Sequence, residues 1–156
     1  PFDDFPESGW DKVMDLNVKS LFFLTQKFAP LLRASATADQ PAKVINMASV
    51  DGIHNARPET YSYSASKAAV IHLTRRMAKR LVEEHIHVNA IAPGAFASNM
   101  NVWARDNPEE VTQRIPARRI GRPDDMAGTA IFISSRAGDY LVGITIPVDG
   151  GVAFAN

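Results

Sequence analysis

The sequence predicts an α/β fold in which helices cover both faces of a doubly wound parallel sheet. Two observations support this prediction. Segments with apolar residues at helical spacing alternate along the chain with short apolar runs of strand length. Proline and glycine punctuate the alternation, as in the pair Pro93-Gly94 that closes the second short run. Such alternation is typical of right-handed crossovers between neighbouring parallel strands.

The first part of the chain predicts one long helix and one strand. The helix runs from Gly9 to about Ala34, with Ser8 as its N-cap. Its apolar residues at helical spacing are Val13, Leu16, Leu21, Leu24, Phe28 and Leu31. A polar loop that contains Pro41 interrupts this pattern, and the apolar run from Lys43 to Ala48 then predicts the first strand.

The rest of the chain predicts two further helices and two further strands. These elements are a helix from Tyr61 or Ser62 to Glu84, a strand from His87 to Ala92, a helix that opens at Pro123 and a last strand from Ile144 to Val148. No regular pattern is evident between Gly94 and about Ile120. Because Pro147 cannot donate a hydrogen bond to a neighbouring strand, the last strand is predicted at a sheet edge.

Three strands are few for a doubly wound sheet. The first strand would present one bare edge to water or to an absent neighbour. We therefore expect residues 1–156 to form one partial domain whose amino-terminal half is missing. The opening residues Pro1-Phe2-Asp3-Asp4 include no initiator methionine and no secretory signal pattern.

The composition excludes several classes of function. The 17 basic and 17 acidic side chains balance, which argues against nucleic acid as the main partner. There is no cysteine, so a disulfide framework, a thiolate nucleophile and a cysteine-ligated metal are excluded, and a cytoplasmic location is expected. No apolar stretch approaches the roughly 20 residues that a membrane span needs. The four histidines have no mutual spacing that predicts a metal site.

Tyr63 and Lys67 are separated by one helical turn, which places a phenol and an ammonium on the same helix face. A free tyrosine has a pKa near 10, and bringing it to about 7 requires roughly 4 kcal/mol. A positive charge about 4 Å away supplies roughly that energy at an effective dielectric constant of 20. The pair therefore predicts a proton donor and acceptor. The same spacing also occurs on ordinary amphipathic helices, where the phenol packs and the lysine is solvated.

Three further features point to the same edge of the sheet. Ser49 follows the first predicted strand, and Pro93-Gly94 follows the second, so both lie where open parallel sheets bind ligands. Each also has a simpler interpretation, as a turn serine or a plain turn. Asn17 falls at the centre of the apolar stripe of the first helix, where its amide needs partners. A structural hydrogen bond to a neighbouring backbone would also satisfy it.

Taken together, these residues resemble the classical short-chain dehydrogenase/reductase family. The motifs that carry the resemblance are Asn17, Ser49 with Gly52, Tyr63-x-x-x-Lys67, Val88-Asn89-x-Ile91-x-Pro93-Gly94, Gly121-Arg122-Pro123-Asp124-Asp125, and Val148-Asp149-Gly150-Gly151. The resemblance covers essentially the whole chain and implies the C-terminal half of a Rossmann-type domain. The glycine-rich turn that binds the dinucleotide pyrophosphate in the family has no counterpart, because no Gly-x-Gly occurs in the sequence.

The resemblance also implies roles for the site residues. Tyr63 would donate and accept the proton, and Ser49 would hold the substrate oxygen. Lys67 would tune the pKa of the Tyr63 phenol and bind the ribose of the cofactor. Asn17 would support a water molecule that leads protons to Lys67. Pro93, Gly94 and Ser98 would contact the nicotinamide, although the family more often has threonine at the last position. Tyr61 is a rival phenol, and the spacing from Ser49 to Tyr63 is one residue longer than is common.

The implied activity is the NADP- or NAD-dependent interconversion of a ketone and a secondary alcohol, with NADP favoured and a pattern similar to 3-oxoacyl reductases. The resemblance implies a small-molecule carbonyl or alcohol substrate and a homo-oligomer built on the two long helices. Met100, Val102 and Trp103 fall in the family's variable substrate loop, where they would suit an apolar substrate or simply pack on the core. The alternative is a non-catalytic fragment or assembly module that cannot bind the cofactor alone.

Overall fold

The computed structural model describes residues 1–55, 59–99 and 101–155. The helices are α1 (Glu7–Met14), α2 (Ser20–Ser35), α3 (Tyr61–Leu81), α4 (Val102–Asp106), α5 (Pro108–Arg114) and α6 (Pro123–Ser134), and the strands are β1 (Ala42–Met47), β2 (Ile86–Pro93) and β3 (Thr145–Val148). Single 3-10 turns occur at Phe2–Asp4, Val50–Gly52, Val82–Glu84 and Arg136–Gly138. Helices and strands alternate as the sequence predicts.

The three strands form a parallel sheet in the order β1-β2-β3. Met47 pairs with Ile91, and Pro93 pairs with Val148, so all three strands end at one edge of the sheet. Pro147 lies in β3, which has β2 as its neighbour and is an edge strand within the described part of the chain. The edge position predicted from this proline is confirmed.

The helices occupy both faces of the sheet, as predicted. On one face, the buried side chains of α3 pack against alternate residues of β2, and Leu21 of α2 joins them. The buried residues at this interface are Val70, Ile71, Met77, Ala78, Leu81, Ile86, Val88, Ala90 and Ala92. The opposite face carries Lys43 of β1 next to His87 of β2. Asp139, just beyond α6, pairs with Lys43 there at 2.7 Å, so α6 lies on the second face.

One predicted detail of the connections is wrong. The chain steps in the same direction from β1 to β2 and from β2 to β3, yet α3 and α6 cross on opposite faces of the sheet. The two crossovers therefore have opposite hands, and they cannot both be right-handed. The physical reason is that α6 packs on the second face, where it contacts all three strands, whereas α3 covers the first.

The first helical segment also departs from its prediction. It begins at Glu7 after Pro6, so Ser8 is not the N-cap, and a π-helical turn at Asp15–Lys19 separates α1 from α2. Four residues of the predicted apolar row are exposed: Leu16 by 68%, Leu24 by 59%, Phe28 by 50% and Leu31 by 66%. Leu24 and Phe28 line an open groove of about 470 Å³ between α2 and the free edge of β1. In the described part of the chain, no element covers this groove.

The segment after β2 contains more regular structure than the sequence predicts. Helices α4 and α5 share a small core of Ala104, Val111 and Ile115, against which Val152 packs.

Within the described residues, no helix has both the length and the apolar character needed to cross a membrane.

Candidate active site

Ser49 lies immediately after β1, at the sheet edge where the strands end. Its side chain is buried, and its Oγ accepts a hydrogen bond of 3.2 Å from the amide of Asp51. Ser49 is thereby the N-cap of the 3-10 turn Val50–Gly52. Gly52 lies so close to α3 that a Cβ atom there would sit 2.5 Å from the carbonyl carbon of Lys67. The turn therefore packs on the backbone of α3 and brings Ser49 to the beginning of that helix.

Tyr63 occupies the first turn of α3, and its phenol lies close enough to the Ser49 hydroxyl for that hydroxyl to influence its pKa. Burial raises the pKa of Tyr63, the Ser49 hydroxyl lowers it, and the charge of Asp51 raises it again. The net direction is upward, so the phenol retains its proton at neutral pH. In this arrangement Tyr63 can donate a proton to an oxygen placed between the two hydroxyls.

Lys67 lies one helical turn beyond Tyr63, with its Nζ atom 5.5 Å from the centre of the Tyr63 ring. The ammonium donates a hydrogen bond of 2.8 Å to the carbonyl oxygen of Met47. Burial lowers the pKa of Lys67. Lys67 is not among the groups that shift the pKa of Tyr63 in this arrangement, so its expected effect on the phenol stays a prediction.

Asn17 lies in the π-helical turn Asp15–Lys19, and its side chain is half-buried. Its Nδ2 donates to Ser66 Oγ at 3.0 Å, and Ser66 Oγ donates to the carbonyl oxygen of Tyr63 at 2.7 Å. Asn17 and Lys67 also line the same groove beside β1. The turn that presents Asn17 and the first turn of α3 are therefore linked by two successive hydrogen bonds.

Pro93, two positions beyond the pairing partner of Met47, ends β2, and Gly94 follows it at the same sheet edge as Ser49. The amide of Gly94 donates to the carbonyl of Val148 at 3.0 Å. A Cβ atom on Gly94 would lie 2.7 Å from the Cα of Asp149. The neighbouring strand end alone therefore requires glycine here.

Ser98 is exposed and lies farther along the chain, in the loop that leads to α4. Its Oγ accepts a hydrogen bond of 3.1 Å from the amide of Asn101. The structure thus brings Ser49, Tyr63 and Lys67 together, links Asn17 to them, and leaves Ser98 outside that cluster. Met100 lies outside the described residues.

The structure also distinguishes between the two candidate phenols. Tyr61 packs edge-on against Phe2 and Phe5, with ring centres 5.5 and 5.8 Å away, and its hydroxyl donates to Glu59 at 3.0 Å. Its phenol is thus engaged with the amino-terminal segment, whereas the phenol of Tyr63 lies near the Ser49 hydroxyl. Only the latter belongs to the cluster.

Sequence reasoning missed two residues that shape this cluster. Ser66 connects Asn17 to the helix of Tyr63, and its position three residues after Tyr63 is the only sequence signal for that contact. Asp51 places a carboxylate near the phenol. Its position two residues after Ser49 could have identified it, since a short turn after a strand keeps such residues together.

Comparisons with known proteins agree with this fold. A family model described as enoyl-(acyl carrier protein) reductase matches residues 1–153. The rhamnolipids biosynthesis 3-oxoacyl-[acyl-carrier-protein] reductase of Pseudomonas aeruginosa is 48% identical over 152 residues, which is 96% of this chain and 59% of that protein. A 2-dehydro-3-deoxy-D-gluconate 5-dehydrogenase from Dickeya dadantii is 43% identical over 95% of this chain and 58% of its own length.

Solved structures give the same result. The NADP active-site complex of RhlG from Pseudomonas aeruginosa has a TM-score of 0.94 and 47% identity, over 98% of this chain and 61% of that one. A gluconate 5-dehydrogenase from Burkholderia cenocepacia, in complex with NADP and tartrate, has a TM-score of 0.88 and 34% identity, over 97% and 59% of the two chains. The chain spans somewhat over half the length of these relatives, and it belongs to the classical short-chain dehydrogenase/reductase family.

Proposed function

We propose that this chain provides the proton-transfer residues of an NADP- or NAD-dependent oxidoreductase that interconverts a ketone and a secondary alcohol. The observation that carries the proposal is that Ser49 and Lys67 both lie beside the phenol of Tyr63: the Ser49 hydroxyl influences its pKa, and the Lys67 ammonium is 5.5 Å from the ring centre. Two hydroxyls that meet at the end of a parallel strand can bind one small ligand oxygen from two sides.

The residues at this edge fit the nicotinamide side of such a cofactor. Lys67 and Tyr63 offer an ammonium and a hydroxyl to the hydroxyl groups of a ribose, and the edge at Gly94 carries no side chain that would block a flat ring. NADP is supported over NAD because two similar structures contain it. The cofactor supplies the hydride when it is bound.

The chain's own residues would carry the proton side of the reaction. Ser49 donates a hydrogen bond to the substrate carbonyl oxygen, and Tyr63 transfers its phenolic proton to the same oxygen as the alcohol forms. The raised pKa of Tyr63 keeps the donor protonated beforehand. For the reverse reaction, the positive charge of Lys67, whose ammonium donates a hydrogen bond of 2.8 Å to the Met47 carbonyl, would stabilise the phenolate. Asn17 holds the first turn of α3 through Ser66.

We infer a 3-oxoacyl thioester as the substrate class. The 48% identity to a 3-oxoacyl-[acyl-carrier-protein] reductase supports this assignment, as do the exposed apolar side chains Val102 and Trp103 on α4. An apolar wall of this kind suits an acyl chain better than a polyhydroxylated sugar acid.

A homo-oligomer is also proposed, and exposed phenylalanines on α2, among them Phe22 and Phe23, support it.

The test has two parts. NADPH and NADH are titrated against the protein by nicotinamide fluorescence, and reduction of a 3-oxoacyl thioester and of a keto sugar acid is then followed by loss of NADPH absorbance. We expect submicromolar NADPH binding and preferential reduction of the thioester. Reduction of the sugar acid alone would replace the substrate assignment. Cofactor binding with no reduction across a broad carbonyl panel would refute the enzyme proposal, and absence of binding would favour a non-catalytic fragment.

A further inference from the structure

The turn that follows β3 is fixed by one carboxylate. Asp149 Oδ1 accepts a hydrogen bond of 2.8 Å from the amide of Gly151, and Oδ2 accepts one of 2.7 Å from the amide of Ala153. Gly150 and Gly151 have φ angles of +66° and +97°, a conformation that side chains with a Cβ atom rarely adopt. Both oxygens of Asp149 are thus used to hold a backbone shape that is costly to form.

This turn supports the two-helix segment 101–117, which we call the lid. The amide of Ala117 donates to the carbonyl of Gly150 at 2.9 Å, and Val152 packs against the buried core of the lid. The fit is close, since a Cβ atom on Gly150 would lie 2.7 Å from Cγ2 of Ile115. A change in the turn must therefore displace the lid.

The two helices of the lid are packed against each other. Its buried core joins α4 to α5, and the guanidinium of Arg114 lies 5.1 Å from the ring of Trp103 across the two helices. The chain enters the lid from Gly94, at the sheet edge where Ser49 and Tyr63 lie. The orientation of the lid relative to the turn 150–153 therefore determines how far the lid lies from that sheet edge.

Asp149 also lies close to Gly94, which follows the neighbouring strand β2. A Cβ atom on Gly94 would lie 2.7 Å from the Cα of Asp149. The residues just before them, Pro93 and Val148, pair with each other in the sheet. We propose that Asp149 is a positioning residue: by fixing the turn 150–153, it holds the lid over the candidate active site and thereby controls substrate binding. The effect on substrate binding rests on the function proposed above, whereas the effect on the lid does not.

The lid can be probed without any activity, because Arg105, Arg114 and Arg118 are trypsin sites in or beside it. Asp149→Asn keeps the shape of the side chain but removes its charge and one acceptor. We expect trypsin to cleave the lid of this variant about tenfold faster than that of the wild type, since a hydrogen-bonded charge that fixes the turn 150–153 beneath it is lost. Val152→Ala, which leaves the carboxylate intact, should increase cleavage in the same direction by a smaller factor.

Asp139→Asn is the matched control, because it makes the same chemical change in the ion pair with Lys43 on the far side of the sheet. It should lower the unfolding temperature without selective cleavage of the lid. Lid cleavage at the wild-type rate in Asp149→Asn, or equal acceleration in Asp139→Asn, would overturn the proposal.

Kinetics of the intact protein test the link to substrate binding. Asp149→Asn should raise KM for the carbonyl substrate about tenfold while kcat changes less than about twofold and NADPH affinity is retained. A fall in kcat at unchanged KM would contradict a positioning role. If the wild-type protein reduces no carbonyl compound, the proposed function fails, and the trypsin experiment still decides whether Asp149 anchors the lid.

Discussion

Tyr63 is surrounded by groups with opposing effects on its proton. The half-buried carboxylate of Asp51 and burial itself favour the neutral phenol, whereas the Ser49 hydroxyl favours the phenolate. His54 lies near Asp51 and keeps the pKa of that carboxyl from rising further. The resting state is a protonated phenol, which suits carbonyl reduction more directly than alcohol oxidation.

Replacing Asp51 should change the pH dependence of reduction. Asp51→Asn removes a negative charge that raises the pKa of Tyr63, so the phenol should lose its proton at lower pH. Because reduction needs the protonated phenol, the decline of kcat/KM at high pH should begin at lower pH than in the wild type. Rates measured across this range test the prediction, with Glu59→Gln, next to Tyr61, as the control. An unchanged or upward-shifted decline would contradict it.

The residues of the cluster could be selected from the sequence, but their states could not. Ser49, Tyr63 and Lys67 follow from spacing and from the end of a strand, and their chemical roles stay predictions. The hydrogen bond from Lys67 to the Met47 carbonyl could not be foreseen, since it joins residues 20 positions apart. The charge of Asp51 was overlooked because a coulombic estimate for one lysine ignores the other charges around the phenol.

The short turn Val50–Gly52 connects the sheet to the helix that carries Tyr63 and Lys67. Its contact with α3 is between backbones, because a Cβ atom at position 52 would lie 2.5 and 2.7 Å from backbone atoms of Lys67 and Ala68. Neither α3 nor the turn can shift at this contact without moving Ser49 relative to Tyr63.

Gly52→Ala should therefore reduce both stability and turnover. We expect a loss of about 1 to 3 kcal/mol in the free energy of unfolding, the usual cost of overpacking. Gly128→Ala is the matched control, since nothing lies within 4 Å of a Cβ atom at that position in α6. It should leave stability unchanged or raise it by up to about 1 kcal/mol. Urea denaturation of both variants decides, and equal effects would contradict the close contact at Gly52.

The end of α3 offers a stabilising substitution. His85 adopts a φ angle of +57° after the turn Val82–Glu84 and is exposed. A left-handed conformation costs a residue with a Cβ atom about 1 kcal/mol or more, and glycine avoids that cost. His85→Gly should raise the free energy of unfolding by about 1 kcal/mol, whereas His85→Ala should not. Thermal unfolding of both variants tests this difference, and a less stable glycine variant would refute it.

Element types were predictable because each long helix and each strand has its own apolar period. The boundaries of β1, β2 and β3 fall within one residue of their predicted positions at nearly every end. The exposure of Leu24 and Phe28 was not predictable, since an apolar stripe reports a tendency to be buried and not which element covers it. The hand of the last crossover likewise depends on the path of segment 95–122, which periodicity does not encode.

At the scale of the whole molecule, Lys43, His87 and Asp139 tie together β1, β2 and the segment after α6. Burial lowers the pKa of His87, as does the charge of Lys43, and Asp139 partly opposes them. His85 also lowers it slightly. His87 is therefore held neutral on the inner side of the α6 layer, where its Nδ1 is buried.

This cluster predicts a stability that depends on pH. Because the folded pKa of His87 lies below the value of about 6.5 in an unfolded chain, protons bind the unfolded state more readily. The stabilisation is complete above that value and is lost as pH falls through the folded pKa. His87→Gln should flatten the stability profile between neutral and mildly acidic pH, whereas His72→Gln, at an exposed position of α3, should not. Chemical denaturation at several pH values tests this, and a steeper profile in His87→Gln would contradict it.

The most direct test of the proposed active site compares two neighbouring phenols in the intact protein. NADPH-dependent reduction of a 3-oxoacyl thioester is measured for Tyr63→Phe and Tyr61→Phe, with NADPH affinity determined for both. We expect Tyr63→Phe to lose at least about 100-fold in kcat with NADPH affinity retained, and Tyr61→Phe to stay near the wild-type rate. Wild-type turnover in Tyr63→Phe, or its loss in Tyr61→Phe alone, would contradict the site built on Ser49, Tyr63 and Lys67.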